Sequence, residues 1–190
     1  MKIGLFGGSF DPVHLGHLLV ARAAHEEAGL DRLFFLPAAQ SPFKPEARPA
    51  PAAERLRWLR LALAGNTMAE VDDLEIRRGG LSYTIDTARA YAQKYPKAEL
   101  FYLIGADQTG QLHLWREAAE LARLVQFLII PRPGEAPVEL AAPFRGRLLH
   151  GVPVGVSSTE IRARLKAGLS IAHLTPPAVA EALVNNRLYL

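Results

Sequence analysis

Short apolar runs alternate with stretches of helical periodicity along most of this chain, and that alternation limits the fold more than any other feature. Residues 2–6 form an apolar run that ends in glycines, and residues 17–28 carry the periodicity and alanine content of a helix that stops at Gly29. The unit then repeats. "RLFFLP" reads as a second buried strand, followed by a Pro-rich loop over 37–51 and a helix in "AAERLRWLRLALAG" closed by Gly65. "AEVDDLEI" is expected as a strand, "SYTIDTARAYAQKYP" as a helix with a polar start and a proline stop, and "ELFYLIGAD" as a strand. "REAAELARL" reads as helical, with Trp115 at its start, "VQFLII" as a buried strand and "RLLHG" as a short strand in a Pro/Gly/Arg-rich loop over 131–153. "SSTEIRARLKAG" and "TPPAVAEALVNN" close the series as two helices, entered through Ser/Thr and through Pro. Strands buried on both faces and joined by helices give an α/β fold, a doubly wound, mainly parallel sheet covered by helices on both sides. Such sheets bind ligands beyond the carboxyl ends of their strands.

Composition narrows the class. The 190 residues suit a single domain over 1–190. No apolar stretch approaches the ~18 residues of a bilayer span, and "MKIGLF" leads at once into glycines rather than into an export signal. Zero cysteines remove disulfides, thiolate metal sites and a cysteine nucleophile. A cytoplasmic protein is expected. The net charge of +3 comes without a block of basic residues, so neither nucleic acid nor a membrane surface is an expected partner.

The chemistry is concentrated in "GLFGGSFDPVHLGH", residues 4–17, which holds four glycines, one proline and two histidines. Glycines just after a strand let the chain turn sharply and leave amide N–H groups bare, while the following helix adds unpaired N–H groups and a positive dipole end. An anion fits there. His14 and His17, three apart, are expected on one helical face, with Gly16 keeping the approach to them open. Two imidazoles so placed can donate to phosphate oxygens, and a polyphosphate would favour their protonated forms. Neither G-x-x-x-x-G-K-[ST] nor a G-x-G-x-x-G after the first strand is present, so the P-loop and dinucleotide-dehydrogenase readings lose their main support. H-E-x-x-H is also absent, and two histidines alone make a poor zinc site.

"GGSFDPVHLGH" resembles the H-x-G-H signature of the nucleotidyltransferase superfamily, and "VSSTEIR" at 156–162 resembles its second phosphate-binding motif. With "SYTIDT", "IGAD", "LW", "PRPG" and the terminal "LY", nearly the whole chain is similar to bacterial nicotinate mononucleotide adenylyltransferases, which make deamido-NAD and pyrophosphate from nicotinate mononucleotide and ATP. The resemblance implies a Rossmann-like nucleotidyltransferase fold with a small C-terminal helical segment. It places Gly7, Gly8, Ser9 and Phe10 along ATP, His14 and His17 on its phosphates as the catalytic pair, and Ser157, Ser158, Thr159 and Arg162 at a helix N-terminus holding the β- and γ-phosphates. Gly105 and Asp107 would meet the ribose, and Arg132 would border the adenine. For nicotinate mononucleotide it implies main-chain donors at Tyr83 and Thr84, ring stacking on Trp115, a phosphate contact from Lys44 and a further cation at Arg116. Mg²⁺ would accompany ATP, with no dedicated protein metal site. Phe43, Arg116 and Ala182 depart from the family's usual His, Tyr and Tyr, which bears on selectivity for the acid over the amide.

The expected reaction is direct in-line attack of the mononucleotide phosphate on the α-phosphorus of ATP, with no covalent intermediate. Rivals within the fold are transfer to the amide nucleotide or to phosphopantetheine. A different class is a nucleotide sensor that binds without turnover. The loops at 38–51 and 131–146 are expected to close over substrate.

Overall fold

The computed structural model describes residues 1–43, 46, 48–131, 140–151 and 154–189. Six strands form one parallel sheet: β1 (Lys2–Gly8), β2 (Arg32–Pro37), β3 (Ala69–Val71), β4 (Glu99–Gly105), β5 (Val125–Ile130) and β6 (Gly146–Leu148). Their spatial order is β3-β2-β1-β4-β5-β6. The chain winds outward in one direction from β1 and in the other from β4, so the strand order reverses between these two neighbours.

Side chains alternate along each strand and divide the interior into two cores. Phe6, Leu33, Phe35, Phe101, Leu103 and Leu128 pack on one face against α1 (Leu15–Ala28), α2 (Ala52–Ala62), α6 (Ser158–Lys166) and α7 (Pro177–Asn186). Leu5, Phe34, Leu36, Tyr102, Ile104 and Phe127 pack on the other against α4 (Thr84–Lys94) and α5 (Ala118–Leu124). Both faces of every central strand are therefore buried, which is why those strands read as continuous apolar runs.

Two expectations are corrected. Only Ala69–Val71 of "AEVDDLEI" is strand; Leu74–Arg78 forms the short helix α3. The Asp72 carboxylate accepts from the Leu74 N–H at 2.9 Å and Asp73 pairs with Arg77 one turn on, so local side-chain bonds turn the chain into a helix. Trp115 does not open the helix of "REAAELARL" either. It closes a 3₁₀ segment, Ala106–Leu114, and α5 starts only at Ala118 after Glu117 in the left-handed region.

The sheet also opens where its order reverses. β1 pairs with β2 as far as Gly8↔Pro37, and β4 with β5 as far as Gly105↔Ile130. Between β1 and β4 the pairing ends at Leu5↔Tyr102. The last three residues of each strand splay apart, and the crevice between them is the floor of the site.

Candidate functional site

A cavity of about 670 Å³ occupies this crevice, lined by Phe6–Gly8 from β1 and by Leu103, Ile104 and Gly105 from β4. The glycine-rich turn, the first turn of α1 and the first turn of α6 close one end of it through Ser9, His14, His17 and Ser157–Thr159. Thr84, Tyr102, Trp115 and Phe43 line the cavity as well, with the rings of Tyr102 and Phe43 both against Trp115.

The turn after β1 is held by its carbonyl oxygens. The carbonyl of Ser9 accepts from buried Arg55 at 2.8 Å, that of Asp11 from Arg162 at 2.7 Å, that of Pro12 from the Ser158 hydroxyl at 2.9 Å and that of Val13 from the Thr175 hydroxyl at 2.9 Å. Partners from α2, α6 and the segment before α7 thus occupy the turn's negative atoms. The Asp11 carboxylate accepts from the Ala50 N–H and from the Tyr189 hydroxyl, which ties the Pro-rich loop and the C-terminal tail to the same turn.

His14 is the N-cap of α1, extended at φ −144° and ψ 171°, and His17 lies three residues on. The expected pairing on one helical face is therefore corrected to a pairing across the helix start. The rings are nonetheless together: centroids 3.7 Å apart, nearly parallel, both on the cavity. The His14 N–H donates to Nδ1 of His17 at 3.2 Å, so in neutral His17 the ring proton sits on Nε2. A Cβ on Gly16 would lie 3.0 Å from the His14 ring and would crowd it.

Burial holds both imidazoles neutral in the unliganded protein. Desolvation pushes His14 down from 6.5 to about 4 and His17 well below its ordinary value, with repulsion from His14 adding to the latter. The sequence predicts protonation by a bound polyphosphate; without one, the rings stay uncharged at neutral pH. Because His14 has a lower pKa folded than unfolded, its contribution to stability is fully present above pH 6.5 and is lost as pH falls through about 4. The share of His14 in the stability that urea melts lose across that window is expected to be on the order of 3 kcal/mol, and His14→Gln is expected to remove that share while the loss due to His17 remains. Identical pH profiles for wild type and variant would contradict this.

The second motif takes the expected form. Ser157 caps α6, its hydroxyl accepting from the Glu160 N–H at 3.1 Å, and the helix N-terminus faces the cavity through Ser157, Ser158 and Thr159. Arg162 does not reach the cavity wall. It is bound to the Asp11 carbonyl and at 3.2 Å to the Thr159 hydroxyl, one layer behind the first turn.

The other sequence-predicted residues divide. Gly7, Gly8, Ser9, Gly105, Thr84 and Trp115 line the cavity. Phe10 does not; its ring is buried in the core, edge-on to His17 at 4.9 Å. Asp107 lies exposed on the 3₁₀ segment, off the wall. Tyr83 also stands outside the wall, as N-cap of α4, with the exposed Arg116 guanidinium 4.7 Å over its ring. Lys44 and Arg132 lie outside the described residues. Phe43 does reach the wall, its ring 5.4 Å from that of Trp115.

Five wall residues with polar side chains were not expected: Ser41, Glu75, Ser82, Tyr102 and Gln108. Glu75 sits in the segment read as a strand, and Gln108 in the unforeseen 3₁₀ turn. Among the described residues no group of His, Asp and Glu is spaced to hold a metal, and no helix is long and apolar enough to cross a membrane.

Known proteins are similar to this chain over its whole length. A family model described as cytidylyltransferase-like matches residues 5–164. The probable nicotinate-nucleotide adenylyltransferase of Opitutus terrae is 45% identical over 192 residues, covering 100% of this chain and 98% of the relative. That of Thermus thermophilus is 43% identical over 194 residues, covering 100% of each. A solved Plasmodium falciparum nicotinic acid mononucleotide adenylyltransferase, complexed with NaAD, superposes with a TM-score of 0.80 at 17% identity, covering 99% of this chain and 97% of that one. At that identity the likeness is one of fold.

Proposed function

The chain belongs to the cytidylyltransferase-like family, among the nicotinate-nucleotide adenylyltransferases, and from that premise we propose that it transfers the adenylyl group of ATP to nicotinate mononucleotide. The products are nicotinate adenine dinucleotide and pyrophosphate. One observation carries the reading: two stacked imidazoles and the N-terminus of α6 converge on one end of a cavity at the reversal point of the sheet.

The mononucleotide phosphate is already an anion and needs no base. The site's task is to bring two like-charged substrates together in line and to stabilise charge on the bridging and leaving oxygens. His14 and His17 serve the triphosphate: His17, whose Nδ1 accepts the His14 N–H, donates from Nε2, while His14 takes up a proton as the triphosphate binds, so affinity for ATP rises as pH falls through the ligand-bound pKa of His14. Gly7, Gly8 and Ser9 give the triphosphate close access to the backbone, and Ser157, Ser158 and Thr159 hold its β- and γ-phosphates. Arg162 adds positive charge from behind. Mg²⁺ arrives with ATP, carried by phosphate and water oxygens. Gly105 and Asp107 serve the ribose and Arg132 the adenine. Thr84 and Tyr83 supply main-chain donors to the nicotinate carboxylate, Trp115 a face for its ring and Lys44 a charge for its phosphate.

Pyrophosphate release with ATP and each acceptor in turn tests this. Nicotinate mononucleotide is expected to exceed the amide nucleotide by roughly tenfold or more in kcat/KM. Preference for the amide overturns the substrate assignment, and binding of both substrates without release would mark a sensor.

A further inference from the structure

The same wall holds a group of the opposite sign. Glu75, on α3, is 3% exposed and is the one acid on the cavity wall among the described residues; no lysine or arginine lines that wall among them. Its carboxylate accepts from the Thr87 hydroxyl at 2.6 Å, and Arg78 donates to the same hydroxyl at 3.3 Å. Thr87 and Arg78 hold the carboxylate from the side of α3 and α4, and neither lines the cavity. Ser82, on the wall beside it, bonds to it as well and accepts from the Ala39 N–H at 2.9 Å. Burial holds the Glu75 carboxyl above its ordinary range, with Asp86 adding to this, and the Thr87 and Ser82 hydroxyls and Arg78 offset it only in part; a cation beside it would favour the ionised form.

Aromatic rings gather near Glu75. Tyr102 feels the charge of Glu75 and bonds to Thr84, and its ring stands edge-on to Trp115 with centroids 6.3 Å apart. Phe43 adds a third ring against Trp115. A carboxylate set among aromatic rings is the arrangement that receives a desolvated organic cation. Elsewhere on the same wall, imidazoles and helix N–H groups are offered to anions. The wall thus carries groups for both signs of charge.

An acceptor that carries both signs would fit it: a nucleotide with a phosphate at one end and a quaternary ring nitrogen at the other. We infer that Glu75 is a specificity-determining residue whose carboxylate, with the rings of Trp115 and Tyr102, selects an acceptor nucleotide bearing a cationic ring. The inference rests on the proposed function and deepens it. The carboxylate answers the charge of the ring itself, while the N-terminus of α4 answers the ring's acid substituent.

The experiment compares two acceptors that differ in ring charge, nicotinate mononucleotide and its dihydropyridine form, with ATP, in wild type and in Glu75→Gln. The glutamine keeps an acceptor for Thr87 and removes only the charge. Wild type is expected to favour the cationic ring by roughly tenfold or more in kcat/KM, and Glu75→Gln to lose most of that preference through KM for the cationic acceptor, with KM for ATP unmoved. Equal losses on both acceptors, or no loss, would overturn the inference, since a purely structural role does not distinguish ring charge. Should the variant not fold, the wild-type comparison decides: equal efficiency on both acceptors removes the role of Glu75 and leaves the proposed function standing. No pyrophosphate from wild type with either acceptor would instead remove the proposed function.

Discussion

Replacing His17 with alanine is expected to lower kcat for adenylyl transfer by roughly 10²–10³-fold while KM for ATP changes only severalfold. The argument starts from the ring's fixed position. His17 is stacked on His14, has the Phe10 ring at its edge and Phe6 at 5.9 Å, and accepts at Nδ1 from the His14 N–H. The ring cannot swing, and its remaining donor is Nε2. A fixed donor meets charge that develops in the transition state without reorganisation, so its removal falls on turnover more than on ground-state binding. Alanine also deprives the His14 N–H of its acceptor, and two further variants separate these effects. Asparagine can keep an acceptor near the Nδ1 position without the Nε2 donor and is expected to fold normally and turn over slowly. Glutamine can extend a donor toward the Nε2 position and is expected to recover part of the rate. Near-normal turnover in His17→Ala would remove the proposed role.

That pair of histidines shows how much of the site was legible in the sequence. Their spacing behind the glycines, together with "VSSTEIR", pointed to two phosphate-facing helix starts, and both face one cavity. The spacing could not give the geometry, because i and i+3 within a helix and N-cap and N3 across its start read alike in one dimension. Only the second places a backbone N–H against Nδ1 and so sets the tautomer. Protonation was legible only for the bound state: the lowered pKa of the rings comes from neighbours such as Phe6 and Phe10 that bury them, and burial is a property of the fold.

The fold was legible where local and global preferences agree. "RLFFLP" and "VQFLII" form the strands β2 and β5 over the same residues that the apolar runs mark, because strands buried on both faces need no alternation. Agreement failed at "AEVDDLEI", where three strand residues pass into a helix through Asp72 and Asp73, side chains that compete with the ladder for backbone N–H groups. Glu75 was hidden by the same misreading. As a strand residue it would have been one of an alternating set; on α3 it is carried to the cavity wall. The 3₁₀ segment between Ala106 and Leu114 has no periodic signature, so Gln108 gave no signal. Arg55, within the helix read from "AAERLRWLRLALAG", gave no signal, yet it is 1% exposed with its guanidinium bonded to the carbonyls of Ser9 and Ala50. A pattern of apolar positions cannot show that a long cation will be drawn inward by carbonyls from a distant loop.

Gly7→Ala is expected to destabilise the protein by about 1–3 kcal/mol and to weaken ATP binding on the order of tenfold or more. The cause is a single contact. A Cβ on Gly7 would stand 2.1 Å from the Tyr102 hydroxyl and 3.1 Å from the carbon that bears it. Tyr102 is held in place by its partners: it is 7% exposed on β4, set edge-on to Trp115, with its hydroxyl bonded to Thr84. The strain must then pass to the ends of β1 and β4, whose separation is the floor of the cavity. The glycine is thus required by a neighbour across the crevice, a reason distinct from the bare backbone that the sequence alone suggested. Tyr102→Phe removes the atom in conflict at the cost of one hydrogen bond, about 1 kcal/mol. In the Gly7→Ala, Tyr102→Phe double variant, urea melts should return most of the lost stability and ATP affinity should recover in parallel. If stability returns and affinity does not, the backbone at position 7 meets the nucleotide directly and the alanine methyl obstructs it; if neither returns, the clash with Tyr102 is not what the glycine avoids.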